Sequence, residues 1–355
     1  MSERQRPAVI LIITHSNDNE SIPLVMDAVA SKGGIAYRFD TDRFPTTTQL
    51  HIHYGGEEER LVLTCGDYEL DLGTVSAVWY RRVAIGQRIP ESMDRQLRRA
   101  AIDESRATVH GMIASLDAFH LDPVYRLRRA ENKQLQLKLA REVGLRVPRT
   151  LITNDPEAVR RFARECKHGM IMKTLSSFAI YEQGEQKVVF TSTVQATDLE
   201  RLADLRNCPA TFQEQVAKTL ELRVTIVGDR VFSAAIDSQR SERSRIDWRR
   251  DGLGLIDEWE PYHLPAEVEE RLLKLMRRLS LNYGAADFIL TPDGQHIFLE
   301  VNPVGEFFWL EKKHPGLPLS SAIAELLVSN QEIGDARLKA PLTLKQPYDR
   351  YSRVL

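Results

Sequence analysis

Gly284-Ala-Ala-Asp-Phe-Ile-Leu290 and His296-Ile-Phe-Leu-Glu-Val-Asn302, joined by Thr291-Pro-Asp-Gly-Gln295, decide the fold of this chain. Both flanks carry strand-forming apolar residues, and Asp293-Gly294 between them is a hairpin turn signal. With that dipeptide as the turn, Pro292 pairs with Gln295, and counting outward sets Asp287 opposite Glu300. Two carboxylates opposed across a ladder repel. Glu300 and Asn302 are two residues apart, so they share a strand face. Asp287, Glu300 and Asn302 together offer three hard oxygen donors and an unbalanced negative charge. Such a set asks for a divalent cation. Mg²⁺ is the natural choice, because it is usually held by one or two carboxylates plus substrate phosphates. The plainer reading of the same residues is a solvated hairpin with a polar outer face.

Upstream of this hairpin the pattern stays α+β. Ala210–Val216 reads as a strand, Glu221–Val227 and Arg230–Asp237 as a second hairpin about Gly228-Asp229, and Glu267–Leu279 as a helix. These elements make a last domain over 208–330. A smaller α+β unit precedes it, over 126–207. It holds a helix over 128–143 closed by Gly144, a short helix capped by Asp155-Pro156, and a strand over 169–173. A hairpin over 178–191 turns at Gly184. Residues 1–125 open with a β-α-β pattern, Val9–Thr14, Ile22–Ala30 and Ile35–Phe39, which implies parallel strands. Strands near Leu50–Tyr54, Arg60–Thr64 and Tyr68–Leu72 read as a meander. A further strand over 75–80 and a long helix from Ser92 to about Leu116 complete this α/β domain. The tail 331–355 lacks periodicity. The fold class is therefore α/β and α+β, in three domains.

Several residues stand out chemically. Lys133 falls inside the apolar arc of Ala130, Leu137, Leu139, Ala140 and Val143 on a helical wheel. There it either snorkels or meets an anion. Lys173 ends its strand, where a point charge reaches a phosphate or merely meets solvent. Glu221 and Arg223 share a strand face, as a surface ion pair or as a ribose and phosphate pair. His51 and His53 also share a face, but with no third ligand nearby they read as surface histidines.

Composition excludes more than it assigns. The chain has 355 residues, and 48 Lys+Arg against 50 Asp+Glu give a formal net charge of −2. That balance argues against a dedicated nucleic-acid binder. Cys65, Cys166 and Cys208 are widely spaced, which fits neither a disulfide framework nor a cysteine zinc site. The apolar run Val9–Ile13 is too short for a signal-peptide core or a membrane span. The expected setting is cytoplasmic, with no membrane partner. There is no GxGxxG and no GxxxxGK[ST], so neither a Rossmann dehydrogenase nor a P-loop enzyme is supported.

Taken in order, two lysines, the strand end Gln213-Glu-Gln-Val216, Glu-x-Arg, Asp and Glu-x-Asn resemble the ATP-grasp superfamily. In that fold two α+β lobes clasp ATP. The resemblance implies that Lys133 and Lys173 bind phosphates of ATP. It implies that Glu214, Gln215 and Val216 meet adenine through their backbone and that Glu221 takes the ribose. Arg223 would steady the transferring phosphoryl group, with Lys173 beside it as a catalytic group, and Asp287, Glu300 and Asn302 would hold Mg²⁺. The loop Thr174-Leu-Ser-Ser-Phe-Ala-Ile180 departs from the family in lacking glycine. Hydroxyls of Thr174, Ser176 and Ser177 are candidates to replace its contacts.

Four segments narrow the resemblance. Ile12-Ile-Thr-His-Ser-Asn-Asp-Asn-Glu-Ser21, Arg38-Phe-Asp-Thr-Asp-Arg-Phe-Pro45, Val78-Trp-Tyr-Arg-Arg82 and Glu300-Val-Asn-Pro-Val-Gly-Glu-Phe-Phe-Trp-Leu310 are similar to the microviridin-type graspetide synthetases. These ATP-grasp maturases cross-link side chains of a ribosomally made precursor peptide. The run Asn19-Glu-Ser-Ile-Pro23 is more similar to the ester-forming branch than to the amide-forming one. The implied enzyme is an ADP-forming ligase. It makes an acyl-phosphate on Asp or Glu of the peptide, and a Thr or Ser hydroxyl then closes a lactone.

For the peptide, Arg245, Asp247, Trp248 and Arg249 lie in a charged stretch that either binds an acidic core or is a solvated run. Glu182, in the hairpin of the small domain, is the candidate for a basic leader residue. Arg81 is either part of the substrate cleft or a packed strand end. A homodimer is compatible with the sequence. The alternatives are a lactam-forming graspetide ligase, another ATP-grasp carboxylate–amine ligase such as a glutamate ligase, and a non-enzymatic ATP-dependent peptide-binding module.

Overall fold

The computed structural model describes residues 7–55, 59–66, 68–174, 179–182, 185–188, 191–240, 254 and 256–329. Strand β1 (Val9–Thr14) is apolar on both faces and buried from Ile10 onward, as a central parallel strand must be. Helix α1 (Ser21–Ser31) begins where Asn19 Oδ1 accepts the Ser21 amide at 2.9 Å. Strand β2 (Ile35–Asp40) then runs parallel to β1. The meander forms as its own antiparallel sheet, β3 (Thr48–His53), β4 (Arg60–Cys65) and β5 (Tyr68–Asp71). Strand β6 (Ala77–Tyr80) returns to β1. Asp94 caps helix α2 (Arg95–Ser115) by accepting the amides of Gln96 and Leu97 at 3.0 and 3.1 Å. Strand β7 (Phe119–Leu121) completes the sheet order β2-β1-β6-β7. Three residues are too few to show a period, so β7 escapes a sequence reading.

The helix expected over 128–143 is two helices, α3 (Val124–Ala130) and α4 (Lys133–Glu142). Asn132 makes the break, because its Oδ1 accepts the Leu135 amide at 3.0 Å and starts α4 afresh. Lys133 therefore sits in a first turn rather than mid-helix.

A small antiparallel sheet follows. Its strands are β8 (Thr150–Thr153), β9 (Met170–Lys173), β12 (Ser192–Thr193) and β13 (Ala210–Glu214), accompanied by α5 (Pro156–Glu165) and α6 (Ala196–Glu200), while the hairpin β10 (Ala179–Glu182) and β11 (Glu185–Val188) forms a two-stranded sheet of its own. The order is β12-β9-β13-β8. Asp155 caps α5 with Pro156 at its first position, as the sequence predicts. Val159, Met170, Leu202 and Phe212 give this unit its own core.

The large sheet has the order β16-β15-β14-β17-β18, with β14 (Leu220–Val227), β15 (Arg230–Ile236), β16 (Glu260–Pro261), β17 (Tyr283–Leu290) and β18 (His296–Asn302). Helix α7 (Ala266–Leu279) covers one face, and α3 and α4 share that cover. Leu127, Leu139, Leu272 and Leu275 pack in one core with Val224, Phe288 and Phe298. The boundary expected at residue 126 thus keeps α3 and α4 with the small sheet, whereas their apolar side chains lie on the large one.

Two last helices, α8 (Phe308–Lys313) and α9 (Leu319–Ser329), turn back to the first sheet. Ile323 and Leu327 of α9 are fully buried with Ile10, Ile12, Ile22 and Val29. Each such side chain contributes roughly 1.5–3 kcal/mol by burial, so α9 is an integral layer of the first unit. Among the described residues no helix is long and apolar enough to cross a membrane.

Candidate active site

The signature hairpin closes differently from the turn its sequence predicts. Leu290 pairs with His296, which leaves a five-residue loop, Thr291–Gln295. Gly294 N donates to Thr291 O at 2.9 Å and Gln295 N to Thr291 Oγ1 at 2.9 Å. That register alone would set Leu299 opposite Asp287. A shift between Phe288 and Asp287 skips Leu299, and Asp287 pairs with Glu300 after all. The bulge also turns both Leu299 and Glu300 toward the cleft, while Phe298 and Val301 stay in the core.

Arg223 is the partner of Asp287 on β14, so Arg223, Asp287 and Glu300 form a row across three strands. Arg223 Nε lies 3.3 Å from Asp287 Oδ1. Lys133, the first residue of α4, is ion-paired with Glu300 Oε2. Each of the opposed carboxylates thus has its own cation. Asn302 lies beyond them on β18, its Oδ1 accepting the Val304 amide at 3.0 Å. Among the described residues no three His, Cys, Asp or Glu side chains cluster to hold a metal unaided. Two cross-strand carboxylates and one amide oxygen nevertheless fit Mg²⁺, an ion that fills its remaining positions with water and phosphate oxygens.

Asp287 and Glu300, but not Asn302, line a cleft of about 950 Å³ between the small and large sheets, part of it open to solvent. Lys173 and Gln213 line it from the small sheet, and Glu221, Asp287 and Glu300 from the large one. The connection between the sheets supplies Gln215, Val216 and Lys218. Seven of the expected site residues meet here: Lys173, Glu214, Gln215, Val216, Glu221, Asp287 and Glu300. Lys133 and Arg223 reach the cleft through their ion pairs. Lys173 ends β9 opposite Thr211.

The strand end 214–216 is partly committed. Glu214 N donates to Arg149 O at 3.0 Å, and Gln215 N to Gly169 O at 2.9 Å. The Glu214 carboxylate accepts the Arg149 amide at 2.8 Å. Glu221 accepts from Lys218 Nζ at 2.6 Å, with the two side chains only 12% and 7% exposed.

Of the two readings of Arg81, substrate cleft or packed strand end, its surroundings match the second: its side chain is 1% exposed and bonded to the protein. It packs on the Trp79 ring at 5.1 Å and bonds the loop 304–306. Burial disfavours the charge of nearby Asp18, but Arg81 and the Thr14 hydroxyl outweigh it and hold that carboxyl below its ordinary range. Arg245, Asp247, Trp248 and Arg249 lie outside the described residues, as do Ser176, Ser177 and the tail 331–355. Glu182 is the last residue of β10, paired with Glu185.

Comparison with known proteins gives this geometry a family. The model of the MvdD pre-ATP grasp domain matches residues 9–128. The macrocyclase MdnC of Microcystis aeruginosa MRC, solved with the precursor peptide MdnA, is 50% identical over 90% of this chain and 99% of its own, with a TM-score of 0.81. The chain belongs to the ATP-grasp graspetide synthetases. A Chryseobacterium gregarium RiPP-associated ATP-grasp ligase, solved with ADP and a leader and core peptide, is 38% identical, covering 93% of this chain and 99% of its own at a TM-score of 0.89. The M. aeruginosa MRC macrocyclase MdnB is 37% identical, covering 91% and 99% at 0.76. A search of the curated proteins returned no match.

Against that family background, one residue of this graspetide synthetase escaped the sequence reading. Lys218 sits in a connection without periodicity. The signal that could have found it is its i,i+3 spacing to Glu221.

Proposed function

We propose that this graspetide synthetase is an ATP-dependent macrocyclase that closes ω-ester rings in a ribosomally made precursor peptide with a leader and a Thr/Ser/Asp/Glu-rich core. The carrying observation is the cleft in which Asp287 and Glu300 face each other beside Lys173 and Glu221. Similarity to MdnC, solved with its precursor peptide, supports the substrate class. The lactone branch follows from the likeness of Asn19-Glu-Ser-Ile-Pro23 to ester-forming relatives.

In the first step a peptide carboxylate attacks the γ-phosphorus of ATP, giving an acyl-phosphate and ADP. In the second a Thr or Ser hydroxyl of the same peptide attacks the acyl carbon. An ester forms, inorganic phosphate leaves and the hydroxyl proton is lost. Mg²⁺, held by Asp287, Glu300 and Asn302, would neutralise phosphate charge. Lys173 at its strand end presents an ammonium to the phosphates, and Lys133 can exchange Glu300 for the same anion. Arg223 holds Asp287 and offers its remaining donors to the transferring group. Amides 214 and 215 are already used, so the base falls to backbone carbonyls and to Val216. Glu221, fixed by Lys218, takes the ribose. Such chemistry is mostly positioning and electrostatics.

The test combines purified protein, ATP, Mg²⁺ and the precursor, followed by mass spectrometry. Loss of one water per ring, reversed by mild alkali, is the expected result. A loss that resists alkali means lactams. A gain of one amino-acid residue means a glutamate-type ligase, and no change with no ADP overturns the enzyme. Light scattering of the same sample decides whether a homodimer forms.

A further inference from the structure

Arg81 stands at the end of the first sheet, outside the nucleotide cleft, yet its bonds go to the loop that follows the candidate metal ligands. Nη1 donates to the carbonyls of Val304 and Gly305 at 3.3 and 3.4 Å, and Nη2 to Glu306 Oε2 at 3.1 Å. Asp18 Oδ2 lies 3.7 Å from Nε. A buried guanidinium is costly unless its donors are met; here Nη1 and Nη2 are hydrogen-bonded, and Nε has only the ion-pair contact with Asp18.

The same loop is closed from its inner side by Asn302. Val304 N donates to Asn302 Oδ1 at 3.0 Å, and Gly305 N to Asn302 O at 3.2 Å. Tyr283 Oη donates to Gly305 O at 2.6 Å. There is no room for the loop to sink further. A Cβ on Gly305 would lie 2.4 Å from Ala285 Cβ, and Ala285 is the strand partner of Asn302. Ala285 therefore keeps the loop from sinking, while Arg81 and Tyr283 hold it by its carbonyls. Residue 304 is bonded at both ends, its carbonyl by Arg81 and its amide to Asn302.

We propose that Arg81 is a positioning residue for the metal: acting through residue 304, it fixes Asn302, whose Oδ1 takes the Val304 amide and would help to hold the cation. This rests on the reading of Asn302 as a metal ligand. Partners that orient a ligand from behind are worth about 10–100-fold in metal affinity. The first unit of the chain then contributes to metal binding without touching ATP.

The test titrates full-length protein with Mn²⁺ in the presence of ADP, reading free Mn²⁺ by electron paramagnetic resonance. Arg81→Lys keeps the charge, but one ammonium cannot span two carbonyls and Glu306. It should weaken Mn²⁺ binding by about 10–100-fold and leave metal-free ADP affinity unchanged. Asn302→Ala should weaken Mn²⁺ similarly, and Arg81→Lys added to it should cost nothing more. Wild-type Mn²⁺ affinity in Arg81→Lys, with Asn302→Ala weakened, overturns the positioning role and spares the metal site. Equal losses from Arg81→Lys in both backgrounds also overturn it. Wild-type affinity in Asn302→Ala removes the metal reading itself. If Arg81→Lys does not fold, Tyr283→Phe loosens the same loop, and a folded variant with unchanged Mn²⁺ binding is equally fatal.

Discussion

Asp287 faces Glu300 across β17 and β18, and each carboxylate is matched by a cation from a different element, Arg223 of β14 and Lys133 of α4. Two like charges directly opposed should weaken a ladder. Here the repulsion is offset by Arg223 and Lys133, the groups that the proposed function gives to phosphates. Exchange of partners would let Lys133 and Arg223 follow the phosphate charge when nucleotide and metal arrive.

Asp287→Asn and Glu300→Gln should therefore lose activity but not the fold. Each removes one proposed metal ligand together with one member of a repelling pair. We expect peptide-dependent ADP formation to fall by about 10²–10³, the scale seen when one preorganised electrostatic contact is lost. The loss of the ion pair and the relief of the repulsion act on stability in opposite directions. Melting temperatures should stay within a few degrees. Wild-type turnover in either variant refutes the assignment.

How far was this site legible in the sequence? The Asp287–Glu300 pair was reached by local counting, but through two departures that cancel. The loop is one residue out of the expected register, and the bulge at Leu299 restores it. Period-2 and period-3.6 patterns reveal strands and helices because each repeats within about ten residues. They are blind to Arg81, whose partner Val304 is 223 residues away, and to Lys218 in an aperiodic connection. The break before Lys133 needed the Asn132 cap to be weighed above a continuous apolar arc. Packing of α3 and α4 on the large sheet has no local signature, since an apolar stripe does not name the face that covers it.

Lys173→Met tests the small-sheet side of the cleft. The side chain lines the cavity at the end of β9, away from the buried cores of both sheets. Replacing the ammonium removes a point charge from the phosphates and should weaken ATP binding by roughly tenfold, the equivalent of about 1.4 kcal/mol. Isothermal titration with ATP checks it. Unchanged affinity takes Lys173 out of the site.

Asp122 predicts a pH dependence. Its Oδ2 accepts the amides of Asn282 and Tyr283 at 2.9 and 3.1 Å, and its Oδ1 accepts Asn282 Nδ2 at 2.7 Å. Burial nevertheless outweighs these bonds and pushes the carboxyl up to about 6, from 3.8. A raised folded pKa means that ionisation opposes folding. The penalty is absent below pH 4, grows between about 4 and 6, and is complete above that. Two units correspond to about 3 kcal/mol. Asp122→Asn is isosteric, and a flipped Asn282 amide can accept its new N–H. The variant should match wild type near pH 4 and gain relative stability up to pH 6, then hold that lead. Urea unfolding across the range measures it, and a constant difference refutes it.

Lys218 and Glu221 offer the sharpest separation of stability from function. The pair is 2.6 Å apart and nearly buried. Breaking such a pair leaves one charge without its partner, which costs about 3–5 kcal/mol, whereas replacing both members with apolar groups is often neutral. Lys218→Met should thus lower the unfolding free energy markedly. Lys218→Met with Glu221→Leu should recover most of it. Nucleotide binding should follow a different rule, because the cleft needs the Glu221 carboxylate and its orientation together. Both variants should bind ATP poorly, although the double variant is stable. Wild-type ATP affinity in the double variant would mean that the pair merely supports the connection between the sheets, and Glu221 would lose its place at the ribose.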